Sequence, residues 1–295
     1  MNAAGKLSLF AAGVAVVFGA SFAVGAVVVP DGAVAAREAK TGSAGHDGMA
    51  ADGEMAAAED VRGLGVAADG LVLSPVEAPA KTGVDGELSL RIVDAGGAPV
   101  TGFATSHEKQ LHLIVVRADG AEFRHVHPRM DAAGTWTVPW RWTAAGTYRV
   151  FADFVPAGRA DAGSITLTRT LQIGGAYAPV TPRPHATDDV DGFHVAIDGD
   201  LTAGATSELT VTITRDGKPV TALEPYLGSF GHLVALREGD LGYLHVHAET
   251  GATSGPAIRF GAEVPTAGRY LLYLDFKIGG KVRTADFVLD GRNAR

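Results

Sequence analysis

Two groups of three histidines recur at the same spacing in the two halves of the chain. The two groups, which lie 120 positions apart, are His112, His125 and His127, and His232, His245 and His247. Imidazole nitrogens bind Zn(II), Cu(II) or Ni(II) at about 2.0–2.1 Å, so three of them at one point can hold a metal ion. The alternative is a structural role, in which buried histidines hydrogen-bond to acidic neighbours and stabilise a core.

A carboxylate lies inside an apolar segment of each half, Asp153 in the first and Asp275 in the second. Burying an unpaired carboxylate is costly, so each is predicted to be a fourth ligand or the group that orients an imidazole. His107 is a weaker, accessory candidate, because Leu227 occupies the matching position in the second half.

The segment 31–61 is rich in Ala, Gly, Asp and Glu, a composition typical of a disordered linker. It contains His46, Met49 and Met55, whose imidazole and thioether groups are weak accessory candidates for copper. A flexible tether without ligands is the simpler interpretation. The expected metal is copper or zinc, and a blue-copper centre of the usual kind is excluded because the chain has no Cys.

A β-hairpin is the element that must bring the first three histidines together. Asp119-Gly120 is predicted to be its turn, which pairs residues whose numbers sum to 239. His112 then lies opposite His127, and His125 lies on the same face because side chains alternate along a strand. This convergence depends on the register, since a slip of one residue turns the side chains to the other face.

The second half repeats this hairpin with Gly239-Asp240 as the turn and a sum of 479, which predicts a second site. On the return strand of the first hairpin, Glu122 and Arg124 alternate with Phe123. Because the polar pair should face solvent, the histidines are expected on the inner face of the domain with Phe123.

The repeat extends beyond the histidines. Pro99-Val100-Thr101 matches Pro219-Val220-Thr221, and the segments before Tyr148 and Tyr270 also match and are similar to tyrosine corners. Apolar residues alternate in short runs between Gly-rich and Asp-rich turns, so the predicted fold is all-β, with two tandem immunoglobulin-like or cupredoxin-like β-sandwich domains. The predicted boundaries are a signal peptide or transmembrane anchor at 1–30, a disordered linker at 31–61, β-sandwich domain 1 at 62–175, a Pro-rich linker at 176–190 and β-sandwich domain 2 at 191–292.

The amino-terminal segment is predicted to direct export. Lys6 precedes an apolar run from Leu7 to Val29, which is long enough to span a bilayer as a helix with the lysine on the cytoplasmic side. Ala33-Val34-Ala35 offers small residues suited to signal peptidase. The expected location is therefore the cell membrane, single-pass with extracytoplasmic domains, or secreted if the segment is cleaved.

Composition excludes several classes of function. The 295 residues carry a net charge of −8, which does not suit nucleic-acid binding. The absence of Cys rules out disulfides, zinc–thiolate sites and iron–sulfur clusters. The sequence has no Ser-His-Asp motif, phosphate-binding Gly-rich loop or His-Glu-x-x-His motif, so it is not predicted to be an enzyme.

Several motifs resemble those of uncharacterised exported bacterial proteins with duplicated β-sandwich domains, which are sometimes labelled heavy-metal-binding. The motifs are His-Leu-Ile-Val-Val-Arg at 112–117, His-Val-His-Pro at 125–128, Tyr-Arg-Val-Phe-Ala-Asp-Phe at 148–154, Glu-Pro-Tyr-Leu-Gly-Ser-Phe-Gly-His-Leu-Val-Ala-Leu-Arg at 224–237 and Leu-His-Val-His at 244–247. The resemblance covers about residues 65–290 and implies an exported metal-handling protein, without implying a reaction. The second copy departs from the first at Ala248, which stands where the first has Pro128.

The predicted function is extracytoplasmic binding or buffering of copper or zinc, with one histidine-rich site in each domain. The alternative is a structural or adhesive protein of tandem immunoglobulin-like modules with no metal. The expected partners are the metal ion and, through the amino-terminal segment, the membrane.

Overall fold

The computed structural model describes residues 62–158, 163–244, 246–248 and 254–294, and this part of the chain contains strands and turns but no helix. Both sandwich domains lie within one compact unit, Met55–Arg295. Within the described ranges no helix is long and apolar enough to cross a membrane. The apolar run from Leu7 to Val29, predicted to be an anchor or signal helix, lies outside the described residues.

The first domain is built from ten strands. In chain order they are β1 (Ala67–Ala68), β2 (Leu71–Leu73), β3 (Gly86–Asp94), β4 (Phe103–Ala104), β5 (Leu111–Arg117), β6 (Arg124–Val126), β7 (Arg129–Met130), β8 (Thr135–Trp140), β9 (Gly146–Pro156) and β10 (Ile165–Ile173). One sheet has the order β1-β2-β3-β8-β7, and the other has the order β10-β9-β5-β6 with β4 paired to β9.

The second domain repeats this arrangement. Its strands are β11 (Thr187–Val190), β12 (Phe193–Asp198), β13 (Leu201–Ala203), β14 (Thr206–Arg215), β15 (Lys218–Pro219), β16 (His232–Arg237), β17 (Tyr243–Leu244), β18 (Val246–Ala248), β19 (Ala257–Glu263), β20 (Gly268–Ile278) and β21 (Lys281–Asn293). One sheet has the order β11-β12-β14-β19-β18 with β15 paired to β14, and the other has the order β13-β21-β20-β16-β17.

This strand order identifies both domains as immunoglobulin-like rather than cupredoxin-like. In the first domain β3 pairs with β8 in one sheet and β5 pairs with β9 in the other, and in the second domain the pairs are β14 with β19 and β16 with β20. These are the B–E and C–F pairings of immunoglobulin sandwiches. Both predicted tyrosine corners are present. The Tyr148 hydroxyl donates to the Ala144 carbonyl at 2.8 Å, and the Tyr270 hydroxyl donates to the Thr266 carbonyl at 2.6 Å.

Each domain has its own apolar core between its two sheets, as the alternating residues predict. In the first domain Leu88, Leu90 and Ile92 of β3 pack together with the three tryptophans. In the second, residues such as Leu209 and Phe260 take the corresponding places. The alternate residues therefore fix which face of each sheet lies inside its sandwich.

The two domains contact each other through the outer faces of the β10-β9-β5-β6 and β13-β21-β20-β16-β17 sheets, here called the facing sheets. Nine buried apolar residues from both domains form one cluster between these sheets: Ile114, Val116, Phe151, Val234, Leu236, Leu241, Leu271, Tyr273 and Val288. Strand β5 is therefore covered on both faces, and all of its residues from Leu111 to Arg117 are buried.

The contact between the domains is approximately two-fold symmetric. The Phe123 ring of the first domain stacks on Tyr273 of the second, with centroids 3.9 Å apart. The equivalent pair in the opposite sense, Tyr243 and Phe151, has centroids 5.9 Å apart. Equivalent elements of the two domains therefore meet each other across the interface.

Candidate metal site between the domains

The candidate site lies where the equivalent strands β5 and β16 of the facing sheets meet, each of them next to the edge strand of its sheet. Along β5, Leu111, Leu113 and Val115 point into the core of the first domain. The intervening residues, beginning with His112 and Ile114, point toward the second domain, where Ile114 joins the interdomain apolar cluster. His112 is therefore buried between the domains and not inside its own sandwich.

The predicted hairpin register is confirmed. Leu113 pairs with Val126 and Ile114 pairs with His125, and both pairs sum to 239. In the second domain Ala235 pairs with Leu244, in agreement with the predicted sum of 479. The first register brings the imidazoles of His112, His125 and His127 to one face.

Four imidazoles meet there, and we refer to His112, His125, His127 and His232 as the interdomain histidine cluster. His112 Nδ1 lies 3.0 Å from His125 Nε2 and 3.3 Å from His127 Nε2. His232 joins from the second domain, and its ring nitrogen lies within 4.8 Å of those of His112 and His125. Two domains thus supply nitrogens to one point.

The outer ring nitrogens of His112 and His125 are held by other groups. His112 Nε2 lies 3.0 Å from the Ser106 carbonyl, which can only accept, so His112 Nε2 carries the proton. His125 Nδ1 lies 2.9 Å from Asp275 Oδ2, and the Thr284 hydroxyl donates to Asp275 Oδ1 at 2.6 Å. The second domain therefore orients a histidine of the first.

These hydrogen bonds determine which protons lie between the two facing nitrogens, His112 Nδ1 and His125 Nε2, called the inner nitrogens below. If Asp275 is ionised, His125 donates to it from Nδ1, and the unprotonated nitrogens of His125 and His112 face each other at 3.0 Å. Their lone pairs then repel each other unless a metal ion or an additional proton lies between them. If Asp275 is protonated, it donates to His125 Nδ1, and His125 Nε2 in turn donates to His112 Nδ1. Every ring nitrogen of His125 and His112 then has a hydrogen-bond partner.

Burial dominates the electrostatics of the cluster. Desolvation lowers the pKa of His112, His125 and His232, and neighbouring imidazoles lower the pKa of the latter two further. Desolvation also raises the pKa of Asp275 to about 7, opposed by the hydrogen bond from Thr284. The buried imidazoles are therefore neutral at physiological pH, which is the form that binds metals.

The family model matches the chain twice, over residues 67–170 and 188–292. The chain belongs to the family described as domain of unknown function DUF8832. The two matches correspond to the two sandwich domains. No curated protein matches the chain.

Several solved structures are similar at low identity. A DUF4426 family protein from Pseudomonas aeruginosa is 10% identical and covers 36% of this chain and 96% of its own, with a TM-score of 0.28. The Escherichia coli adhesin FdeC is 17% identical and covers 75% of this chain and 64% of its own, with a TM-score of 0.23. The titin tandem domains A164-A165 are 13% identical and cover 72% of this chain and 91% of their own, with a TM-score of 0.20.

Among the described residues, the histidines do not form a separate site in the second domain, which corrects the expectation of one site in each domain. In the described residues of the second domain, His232 and Asp275 face the histidines of the first domain. His247 is exposed and lies on β18, in the other sheet, where it pairs with Gly261. The chain changes sheets between Leu244 and Val246, so His247 does not reach the position opposite His232.

The expected inner-face position of the histidines is also corrected. They do share a face with Phe123, but Phe123 packs against Tyr273 of the other domain. The period-two pattern identifies two faces of a strand and does not show which of them lies inside the sandwich when both are buried.

The remaining predicted ligands lie at different distances from the histidine cluster or outside the described residues. Asp153 lies opposite His112 on the neighbouring strand, and it accepts a hydrogen bond from Thr166 at 2.8 Å. His107 lies beside the cluster, with its ring centroid 5.5 Å from that of His232. The other predicted ligands lie outside the described residues: His46, Met49, Met55 and His245.

Sequence reasoning did not find the contribution of the second domain to the site. The orienting role of Asp275 was expected for an imidazole of its own domain, whereas it contacts His125. Tyr226 was also missed, although its ring lies 6.3 Å from that of His127 across the interface. The sequence signal was the uninterrupted apolar run 113–116 in β5, since a continuous apolar run is typical of a strand covered on both faces.

Proposed function

We propose that this DUF8832 protein is a metal-binding protein and not an enzyme, and that one divalent ion, copper or zinc, binds between its two domains. The observation that carries the proposal is the 3.0 Å approach of His112 Nδ1 to His125 Nε2. Both outer nitrogens already have partners, at the Ser106 carbonyl and the Asp275 carboxylate. An ion between the inner nitrogens would satisfy both lone pairs.

The distances within the cluster suit metal ligation. For bonds of about 2.0–2.1 Å in a tetrahedral site, ligand nitrogens lie about 3.3 Å apart. His112 Nδ1 is 3.0 Å from His125 Nε2 and 3.3 Å from His127 Nε2. His232 of the second domain has a ring nitrogen within 4.8 Å of those of His112 and His125, and would complete the ligand set after a small movement toward the ion. The ligands would be neutral imidazoles, which suit Zn(II) and Cu(II).

Asp275 would position a ligand without binding the ion itself. Its carboxylate fixes the tautomer and the ring orientation of His125, as carboxylates beside metal-bound histidines do. Thr284 in turn fixes the carboxylate. Because these two residues belong to the second domain, the ion would link the domains through His232 and through the orientation of His125.

A second candidate is a pair of immunoglobulin-like interaction modules whose histidines stabilise the interface without a metal. The closed chain of hydrogen bonds formed when Asp275 is protonated favours this candidate, since it leaves His125 and His112 satisfied. The raised pKa of Asp275, caused by burial, makes its protonated form accessible near neutral pH.

Metal titration of the untagged full chain distinguishes the two candidates. We expect one Zn(II) or Cu(II) ion per chain, no binding by His125→Ala and unchanged binding by His247→Ala, since His247 is exposed on another sheet. His125→Gln serves as a second variant in case the alanine variant does not fold. Absence of binding by a folded parent, or binding that persists in folded His125 variants, would contradict the metal proposal and support the interaction module.

The proposed location is outside the cytoplasm, either anchored by the amino-terminal segment or released after cleavage. This part of the proposal is supported by Lys6 and the following apolar run. Fractionation of cells that express the full chain tests it, and recovery in the cytoplasm would contradict it.

A further inference from the structure

A tight turn lies beside the histidine cluster. Ser106 and Lys109 exchange two backbone hydrogen bonds of 2.8 and 3.0 Å, and the two residues between them are His107 and Glu108. Their φ angles are +46° and +63°. Turns of this kind favour Asn, Asp and Gly, because a side chain at positive φ is strained.

The equivalent turn of the second domain has a different sequence. Tyr226 and Ser229 exchange the same two hydrogen bonds, and Leu227 and Gly228 lie between them. Gly228 meets the positive φ of +81° without strain. The imidazole of the first turn therefore has no counterpart in the second, and the turn geometry does not require it.

The turn holds this imidazole next to the buried ones. His107 is exposed, yet its ring centroid lies 5.5 Å from that of His232 and 6.1 Å from that of His112. The carbonyl of Ser106, in the same turn, accepts the hydrogen bond from His112 Nε2. The turn is thus hydrogen-bonded to the histidine cluster through Ser106, while the side chain of His107 is exposed to solvent.

We propose that His107 is the capture ligand of the site, which binds a metal ion from solvent first and passes it to the buried histidines. This inference rests on the proposed metal-binding function. In the first step a bond from His107 to the ion forms as a water ligand leaves. In the second, a bond from His112 Nδ1 forms as the bond to His107 breaks. The ion never has to lose all its ligands before it enters the buried site.

A residue that binds the ion only while it enters or leaves the site changes the association and dissociation rate constants by the same factor. Removing His107 raises the barrier for both association and dissociation, while the free energies of the bound and free states stay the same. The dissociation constant is then unchanged although binding becomes slower. A residue that ligates the ion in its final position would instead weaken the equilibrium affinity.

Stopped-flow binding of Zn(II) to the full chain, measured by competition with a coloured chelator, tests the inference. The variant is His107→Asn, because Asn tolerates positive φ and preserves the turn. The matched control is His194→Asn, an exposed histidine of the second domain that pairs with Asp189. We expect both rate constants of His107→Asn to fall roughly tenfold, equivalent to a barrier about 1.4 kcal/mol higher, with an unchanged dissociation constant.

The possible results separate this inference from the function on which it rests. Unchanged rate constants in His107→Asn, with a parent that binds Zn(II), overturn the capture role alone. Weaker equilibrium affinity with an unchanged association rate also overturns it and makes His107 a ligand. A folded parent that binds neither Zn(II) nor Cu(II) overturns the proposed function as well.

Discussion

His112 and His232 occupy equivalent positions in the two domains, and their imidazole rings stack across the interface with centroids 5.6 Å apart and planes 5° from parallel. Each lies on the strand next to the edge strand of its facing sheet, opposite the equivalent carboxylate, Asp153 or Asp275. The residues that repeat along the sequence therefore meet in space at a single site.

Asp275→Asn is expected to weaken metal binding about 10- to 100-fold, the usual effect of losing a carboxylate that orients a histidine ligand. The amide no longer enforces the tautomer in which His125 Nε2 is free for the ion. Isothermal titration with Zn(II) measures the change. Asp286→Asn is the control, because Asp286 is exposed and pairs with His185. Equal affinities for parent and Asp275→Asn would show that Asp275 does not orient a ligand.

Acid is expected to destabilise the metal-free protein. Burial lowers the pKa of His112, His125, His127 and His232, whereas the unfolded imidazoles titrate near 6.5, so the unfolded chain binds more protons as the pH falls below that value. The raised pKa of Asp275 acts in the opposite direction between about pH 4 and 7, since the folded state then holds the extra proton. The loss of stability caused by the four imidazoles exceeds the gain from the one carboxyl group.

We expect a net loss of roughly 2 kcal/mol or more in the free energy of unfolding between pH 7 and pH 5. His125 and His127, whose pKa values are lowered to about 3, each contribute about 2 kcal/mol to this loss, and Asp275 offsets about 2 kcal/mol. Urea denaturation at a series of pH values in the presence of a chelator measures it. His194→Asn, which alters an exposed histidine, should follow the parent curve. A stability that stays constant over this range would mean that the folded and unfolded states bind equal numbers of protons, so that burial does not keep the imidazoles neutral.

Tyr273→Phe is expected to lower the free energy of unfolding by about 1–2 kcal/mol. The hydroxyl of Tyr273 donates to the Gly120 carbonyl of the other domain at 2.6 Å, so its loss leaves a polar group of the interface without a partner. The ring and its stacking on Phe123 are retained. Urea denaturation provides the measurement, and Tyr177→Phe, at an exposed tyrosine, is the control. Equal decreases in the free energy of unfolding of the two variants would show that the hydrogen bond from Tyr273 to Gly120 does not stabilise the interface.

Glu108→Gly is expected to raise the free energy of unfolding by about 0.5–1 kcal/mol. Glu108 has a φ of +63°, and relief of that strain, about 1–2 kcal/mol, exceeds the entropic cost of glycine. The equivalent position of the second domain is already Gly228. The shift of the urea midpoint measures the effect, and Glu108→Ala, which keeps the strain, should give no gain. A destabilised glycine variant would show that the Glu108 side chain stabilises the turn.

The sequence predicted the fold and the first hairpin because both depend on local periodicity. Alternating residues such as Leu88 and Leu90 identify the core face, and the turn at Asp119-Gly120 sets the register that brings His125 to the same face as His112. The same information could not reveal what covers the outer face of β5. That depends on how two separate domains dock, which no spacing within one strand encodes.

The position of His247 shows a second limit. The hairpin pairing of Leu236 with Tyr243 agrees with the predicted register, and extending it would place His247 opposite His232. The chain instead leaves this sheet after Leu244 and joins the other one at Val246. A change of sheet preserves the alternation of side chains, so the pattern of apolar residues gives no sign of it.

The approximate two-fold symmetry of the interface bears on the history of the chain. A single domain with this apolar face would bury it best against a second copy of itself, in an isologous dimer with His112 near the axis. Joining two copies in one chain makes that association independent of protein concentration. It also frees each copy to change alone, so one half could acquire His107 while the other kept Leu227 at the same place.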